Sequence, residues 1–202
     1  MRSIRFFLIL LFLLISIDTF SQLNHRHYIL MGRIDLSDED YSEAILNFNL
    51  AITAKPADFE AYFLRGIAKY SLNDFNGAVD DFSKAISIHP LYTRAYHYRG
   101  ISNDRLGNYA DAIADYKKAI ELDPYDPDLH IALGSTRLHL NEFESAILCF
   151  DTALIIKPDN SYAYINRGVA KRYLELYDEA LDDLNKAVYY DFFNIEAIVR
   201  RG

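Results

Sequence analysis

In the stretch FEAYFLRGIAKYSL (59–72) the apolar residues fall three and four positions apart. On a helix of 3.6 residues per turn that spacing gathers them on one side. A polar NDFNG turn follows, and then AVDDFSKAISI (78–88), a second amphipathic stretch stopped by His89-Pro90. Proline's ring and missing N–H resist continuation of a helix. The pattern predicts two helices joined by a tight turn. The first of them returns as AYHYRGISND (95–104) and as AYINRGVAKR (163–172), in phase with AYFLRGIAKY (61–70).

The phase is strict. Gly32, Gly66, Gly100, Gly134, Gly168 and Gly202 lie 34 residues apart. Nine residues after the first five come Tyr41, Phe75, Tyr109, Phe143 and Tyr177, and three further on Ala44, Ala78, Ala112, Ala146 and Ala180. Phe48, Phe82, Tyr116, Phe150 and Leu184 hold the next apolar position, then Ala51, Ala85, Ala119, Ala153 and Ala187. Pro56, Pro90, Pro124 and Pro158 close four units. A glycine inside a helix costs about 1 kcal/mol relative to alanine. Its recurrence at one phase implies close helix crossing, with the small alanines keeping the facing wall shallow and the aromatic filling the gap beside it.

This pattern, as in Tyr62-x2-Arg65-Gly66, Ala78-x3-Phe82 and Pro90, resembles the tetratricopeptide repeat. The resemblance implies an all-α, right-handed superhelical solenoid of stacked antiparallel helix pairs with a 34-residue period. Units are expected at 25–58, 59–92, 93–126, 127–160 and 161–194, with 195–202 opening a sixth. Tyr28, Tyr62, Tyr96 and Tyr164 replace the family's tryptophan, with His130 in the fourth unit, and Arg65, Arg99, Arg167 and Arg201 precede glycine where leucine is usual. The fifth unit lacks its proline, so its second helix is expected to run on or end loosely.

The resemblance also places an inner wall on one stripe of each first helix: Ile29 and Arg33; Phe63, Ile67 and Tyr70; His97, Ile101 and Asp104; Ile131, Ser135 and Leu138; Ile165, Val169 and Arg172. This largely apolar groove suits a protein or peptide partner, whether an amphipathic helix or an extended segment. A clamp for a partner's terminal carboxylate is not expected, because Arg33, Ile67, Ile101, Ser135 and Val169 follow the glycines where such sites carry asparagine. The recurrent arginines are expected to pair with Asp80, Asp81, Asp115, Asp182 and Asp183, as exposed pairs contributing about 0–1 kcal/mol each.

The N-terminus departs from the period. MRSIR is basic, FFLILLFLLISI (6–17) is apolar, and Thr19 and Ser21 are the small residues of a cleavage site, which predicts a signal peptide over 1–21. The run is too short to span a bilayer, so no stable membrane span is expected after cleavage. Together with a single cysteine, Cys149, this points to the cell envelope, most simply a periplasm. Lys+Arg 21 against Asp+Glu 29 gives a net charge of −8, which disfavours nucleic acid. No phosphate loop, nucleophile elbow or zinc motif appears, so no enzyme activity and no cofactor or metal are expected. His25 and His27 are expected in a loose terminus, and Cys149 as a small buried filler. The chain stops on AIVRRG (197–202). That ending reads as a truncated array, with two consequences held open. Ile195 and Ile198 could self-associate through an uncapped end, or the chain could be the N-terminal repeat region of a longer envelope enzyme or signalling protein.

Overall fold

The computed structural model describes residues 24–191 and 199–200. The expected signal peptide, Ile195, Ile198 and most of the sixth-unit opening lie outside the described residues. Within them ten helices follow one another and no strand forms: α1 (24–37), α2 (Tyr41–Ala54), α3 (Phe59–Ser71), α4 (Phe75–Ile88), α5 (Thr93–Arg105), α6 (Tyr109–Leu122), α7 (Pro127–His139), α8 (Phe143–Ile156), α9 (Ser161–Tyr173) and α10 (Tyr177–Tyr190). They form consecutive antiparallel pairs, one pair per 34-residue unit. The chain divides into two compact units, one ending at Ala95 and the other beginning at Tyr96.

Each pair is built on the glycine–aromatic contact. Phe48, Phe82 and Phe150 are fully buried and Tyr116 is 1% exposed. Their rings lie directly on the first helix. A Cβ at Gly32, Gly66, Gly100 or Gly134 would stand 2.6, 2.7, 2.7 and 2.6 Å from the nearest ring atom. Burying one such side chain contributes about 1.5–3 kcal/mol, more than the glycine's helix penalty of about 1 kcal/mol. In the fifth unit Leu184 takes the ring's place, and a Cβ at Gly168 would meet the Ala180 carbonyl oxygen at 3.2 Å. The Leu184 side chain shares that facing surface with the backbone, its Cγ also 3.2 Å away.

The turn inside each pair is equally periodic. Glu39, Asn73, Gly107, Asn141 and Glu175 have φ of 61, 61, 78, 59 and 62°, the left-handed region. In each case the next residue's N–H reaches back to a helix carbonyl, as in Asp74 N to Lys69 O at 2.9 Å and Leu176 N to Lys171 O at 3.0 Å. That bond satisfies a carbonyl the helix end would otherwise orphan. Asp40 and Asp74 then cap α2 and α4, accepting from Glu43 N and Gly77 N. The second helices end on Lys55, His89, Asp123, Lys157 and Asp191, all with near-identical backbone angles. α10 therefore stops in register without a proline, contrary to expectation. Its cap N–H bonds to Ala187 O as its counterparts do, and Ser161 Oγ donates to the same oxygen at 3.1 Å.

The arginine ladder is internal. Arg65 grips Asp81 with Nε and Nη2 at 2.8 and 2.5 Å, Arg99 grips Asp115 at 2.9 and 2.6 Å, and Arg167 grips Asp183 at 2.8 and 2.5 Å. The carboxylate side chains are 5%, 7% and 2% exposed, so these are not the exposed pairs the sequence suggested. Each guanidinium also faces the tyrosine that replaces tryptophan, at 5.4, 5.7 and 5.4 Å. Burial opposes the charge on Arg167, but its bonds to Asp183 and Asp151 outweigh it and hold the pKa above the ordinary arginine value. The Asp115 bond does the same for Arg99. In the fourth unit both partners are exchanged together: Leu133 and Cys149 stand at the Arg and Asp positions, each 6% exposed. There Arg137, at the position of Lys69 and Lys171, retains Ser145 O for Nη1 while its buried Nε has no hydrogen-bond partner. Burial raises the Cys149 thiol pKa despite the nearby Arg137 and Lys117 cations.

Candidate functional site

The expected partner-binding stripe is distributed over both compact units. In the first unit, Ile29 is half-buried against the α1–α2 core and Arg33 is exposed, paired with Glu60. Ile67 and Tyr70 are half-buried, with the Tyr70 ring 5.4 Å from Phe75. Phe63 departs from its expected role. It is 1% exposed, covered by Tyr92 at 4.9 Å and by the Arg94 guanidinium at 4.9 Å, and it meets Phe82 at 5.7 Å. Tyr92, just before α5, and Arg94, in its first turn, close over it, so it is core rather than contact surface. Burial raises the Tyr92 phenol pKa, with Arg94 opposing.

His25 also corrects an expectation. Rather than fraying with the terminus, it is 7% exposed at the start of α1. Its Nε2 lies 2.6 Å from Asp58 Oδ2 and its Nδ1 3.1 Å from Ala51 O. Asp58 is simultaneously the N-cap of α3, accepting from Glu60 N at 3.1 Å. Ala51 O is the carbonyl equivalent to Ala187 O, so His25 and Ser161 perform the same bridging task four units apart. Beside this cluster opens a depression of about 490 Å³ lined by Arg26, Ile29, Leu30, Arg33, Lys55 and Phe59, among others.

In the second unit, Ile101, Ile131, Leu138 and Val169 are half-buried on α5, α7 and α9, and His97 is half-buried 6.0 Å from the Tyr116 ring. Ile165 is 1% exposed in a cluster with Tyr164, Leu154 and Val188, against which Ile131 packs. It too is core. Arg172 is exposed, 5.9 Å above the Tyr173 ring. A smaller depression of about 260 Å³ joins α7 and α9, lined by Ser135, Leu138, His139, Asn166, Val169 and Tyr173, with Arg200. The structure thus brings Leu138, Ser135 and Val169 together on one surface.

Asp104 borders this face. Its Oδ2 accepts from Thr136 Oγ1 at 2.6 Å and from Tyr116 OH at 3.2 Å, tying α5 to α6 and α7. Its buried Oδ1 has no hydrogen-bond partner, and the nearest cation-forming atom is His139 Nδ1 at 4.0 Å. Thr136 and His139 carry no sequence signal beyond their helical phase, and neither was expected in the site. Among the described residues no group of three His, Cys, Asp or Glu side chains is placed to hold a metal ion, and no helix is long and apolar enough to cross a membrane.

Three family models described as tetratricopeptide repeat match successive parts of the chain: one over residues 29–91 and 63–127, one over 105–166 and one over 161–194. No curated protein matches. Among solved structures, the crystal structure of MamA protein is similar at 23% identity and a TM-score of 0.76, covering 86% of this chain and 94% of that one. MamA from Desulfovibrio magneticus RS-1, residues 41 to the end, aligns at 18% identity and a TM-score of 0.79, covering 85% and 97%. YrrB, described as a TPR protein with an unusual peptide-binding site, aligns at 21% identity and a TM-score of 0.72, covering 86% and 90%. At these identities the likeness is one of fold.

Proposed function

The chain is a tetratricopeptide-repeat protein from residue 29 to residue 194, and from that premise we propose that it is an exported, non-catalytic scaffold of the cell envelope that binds a protein or peptide on the face of its first helices. The observation that carries this reading is the half-buried aliphatic row Ile101, Ile131, Leu138 and Val169, with its depression between α7 and α9. Leu138, Val169 and Tyr173 give the depression apolar contacts among polar neighbours, a mixed lining suited to a peptide. The flanking Ser135, Asn166 and Arg172 supply the hydrogen bonds that orient a bound backbone. YrrB's described peptide-binding site makes a peptide the ligand class to test first. Export rests on the basic start, the apolar run 6–17 and the small residues Thr19 and Ser21.

The test is affinity capture from envelope extract on the chain and on Leu138→Asp/Val169→Asp. Both substituted positions are half-buried on the surface and leave the glycine–aromatic core intact. A protein retained by the first bait and lost from the second, with unchanged far-UV circular dichroism, supports the reading. Equal recovery on both removes the face from consideration. Detection of the chain only in the cytoplasmic fraction would remove export.

A further inference from the structure

The depression in the first compact unit has a charge opposite to that of the chain. The sequence carries eight more acidic than basic groups, yet Arg26, Arg33 and Lys55 line this one hollow against two acids, Asp58 and Glu60. Both acids are already engaged. Asp58 is 8% exposed and is held by His25 and by Glu60 N, while Glu60 is paired with Arg33. Among the described residues the exposed side chains of Arg26 and Lys55 have no ionic partner. Between them lie apolar contacts: Ile29, Phe59 and Leu30, the last 57% exposed.

Resting on the reading above, we propose that this hollow receives an apolar partner segment flanked by carboxylate side chains, whose acids take the unpaired Arg26 and Lys55 while its aliphatic residues cover Ile29, Leu30 and Phe59. The basis is charge complementarity at a mixed apolar surface. A positive site also selects against cationic segments. Side-chain carboxylates fit better than a chain terminus, because two cations from two elements, Arg26 on α1 and Lys55 at the end of α2, can take two carboxylates and a terminus supplies one.

Fluorescence anisotropy tests this with three peptides of one length, blocked at both ends. They share a leucine stripe at i and i+4 spacing and differ only in flanking Glu, Gln or Lys. The Glu peptide should bind about threefold to tenfold more tightly than the Gln peptide, the range of two exposed ion pairs. The Lys peptide should bind most weakly. Arg26→Glu/Lys55→Glu, whose sites are exposed and outside the core, should abolish or invert the order, and raising salt should narrow it. Equal binding of the Glu and Gln peptides overturns the inference. If that binding is still lost with Leu138→Asp/Val169→Asp, the protein-binding reading survives. Absence of binding by all three peptides overturns the inference alone, since the capture experiment decides the protein-binding reading. Sedimentation showing an oligomer that dissolves on charge reversal at Arg26 and Lys55 would make the occupant a second copy and also overturn the inference.

Discussion

Replacing Asp115 with alanine while Arg99 stays removes the acceptor of two charge-assisted hydrogen bonds, from Nε at 2.9 Å and Nη2 at 2.6 Å. A bond to a charged group contributes about 1.5–3 kcal/mol, which sets a ceiling of about 3–6 kcal/mol for the two. The actual cost is smaller, because the arginine side chain is 24% exposed and water can take part of its donors. It also keeps the Tyr96 ring at 5.7 Å. The expected loss for Asp115→Ala is about 2–3 kcal/mol. The fourth unit supplies its own control, since Leu133 and Cys149 occupy the same two positions with no charge at all. Arg99→Leu/Asp115→Cys should therefore cost only about 0–1 kcal/mol, because no ion is left unpaired. Urea unfolding followed at 222 nm, with midpoints and slopes compared across the parent, the single variant and the double variant, measures both. The reasoning fails if Asp115→Ala costs less than about 1 kcal/mol or if the double replacement costs as much as the single one.

Gly100→Ala should destabilise by about 1–3 kcal/mol despite alanine's better helix propensity, because the new Cβ lands 2.7 Å from a Tyr116 ring that has nowhere to go; a thermal midpoint at or above the parent's would contradict this. Glu175→Gly should stabilise by about 0.5–1 kcal/mol, since glutamate at φ 62° carries a strain glycine does not; a lower thermal midpoint would refute the turn assignment. Cys149 should react with a disulfide reagent at pH 8 at least about tenfold more slowly in the folded chain than in urea. Its raised pKa has a defined sign: the stabilisation is whole below the ordinary thiol pKa of about 8.5 and is lost as pH climbs through the folded value. Equal rates in both states would place the thiol at the surface.

Helix borders and core were legible because each is set by local spacing. Glycine, alanine, aromatic and proline recur at one phase, and a fixed phase leaves little freedom to helices of constant length. The arginine pairing was half legible. Residue types and separation pointed to acids on the second helix, but only the helix geometry chooses Asp81 over Asp80 and Asp183 over Asp182. The left-handed turn position escaped notice because only Gly107 of its five residues is glycine; the turn is imposed by the bond back to the helix and accepted even by Glu39 and Glu175. Phe63 and Ile165 look like surface in the helical phase, yet neighbouring side chains bury them: Tyr92 and Arg94 for the first, Tyr164 and Val188 for the second. A one-dimensional pattern places a side chain on a face but does not say what folds over it. His25 was misplaced for the same reason, since its partners lie 26 and 33 positions away, at Ala51 and Asp58.

The central claim is that a partner protein lies on the first-helix face. A photo-activatable cross-linking residue at position 138, and separately at position 155, tests it most directly. Leu138 lines the depression between α7 and α9, whereas Ile155 is 80% exposed on the second helix of the same unit. The account predicts a discrete adduct from position 138 and none from position 155. An adduct confined to position 155 would contradict it.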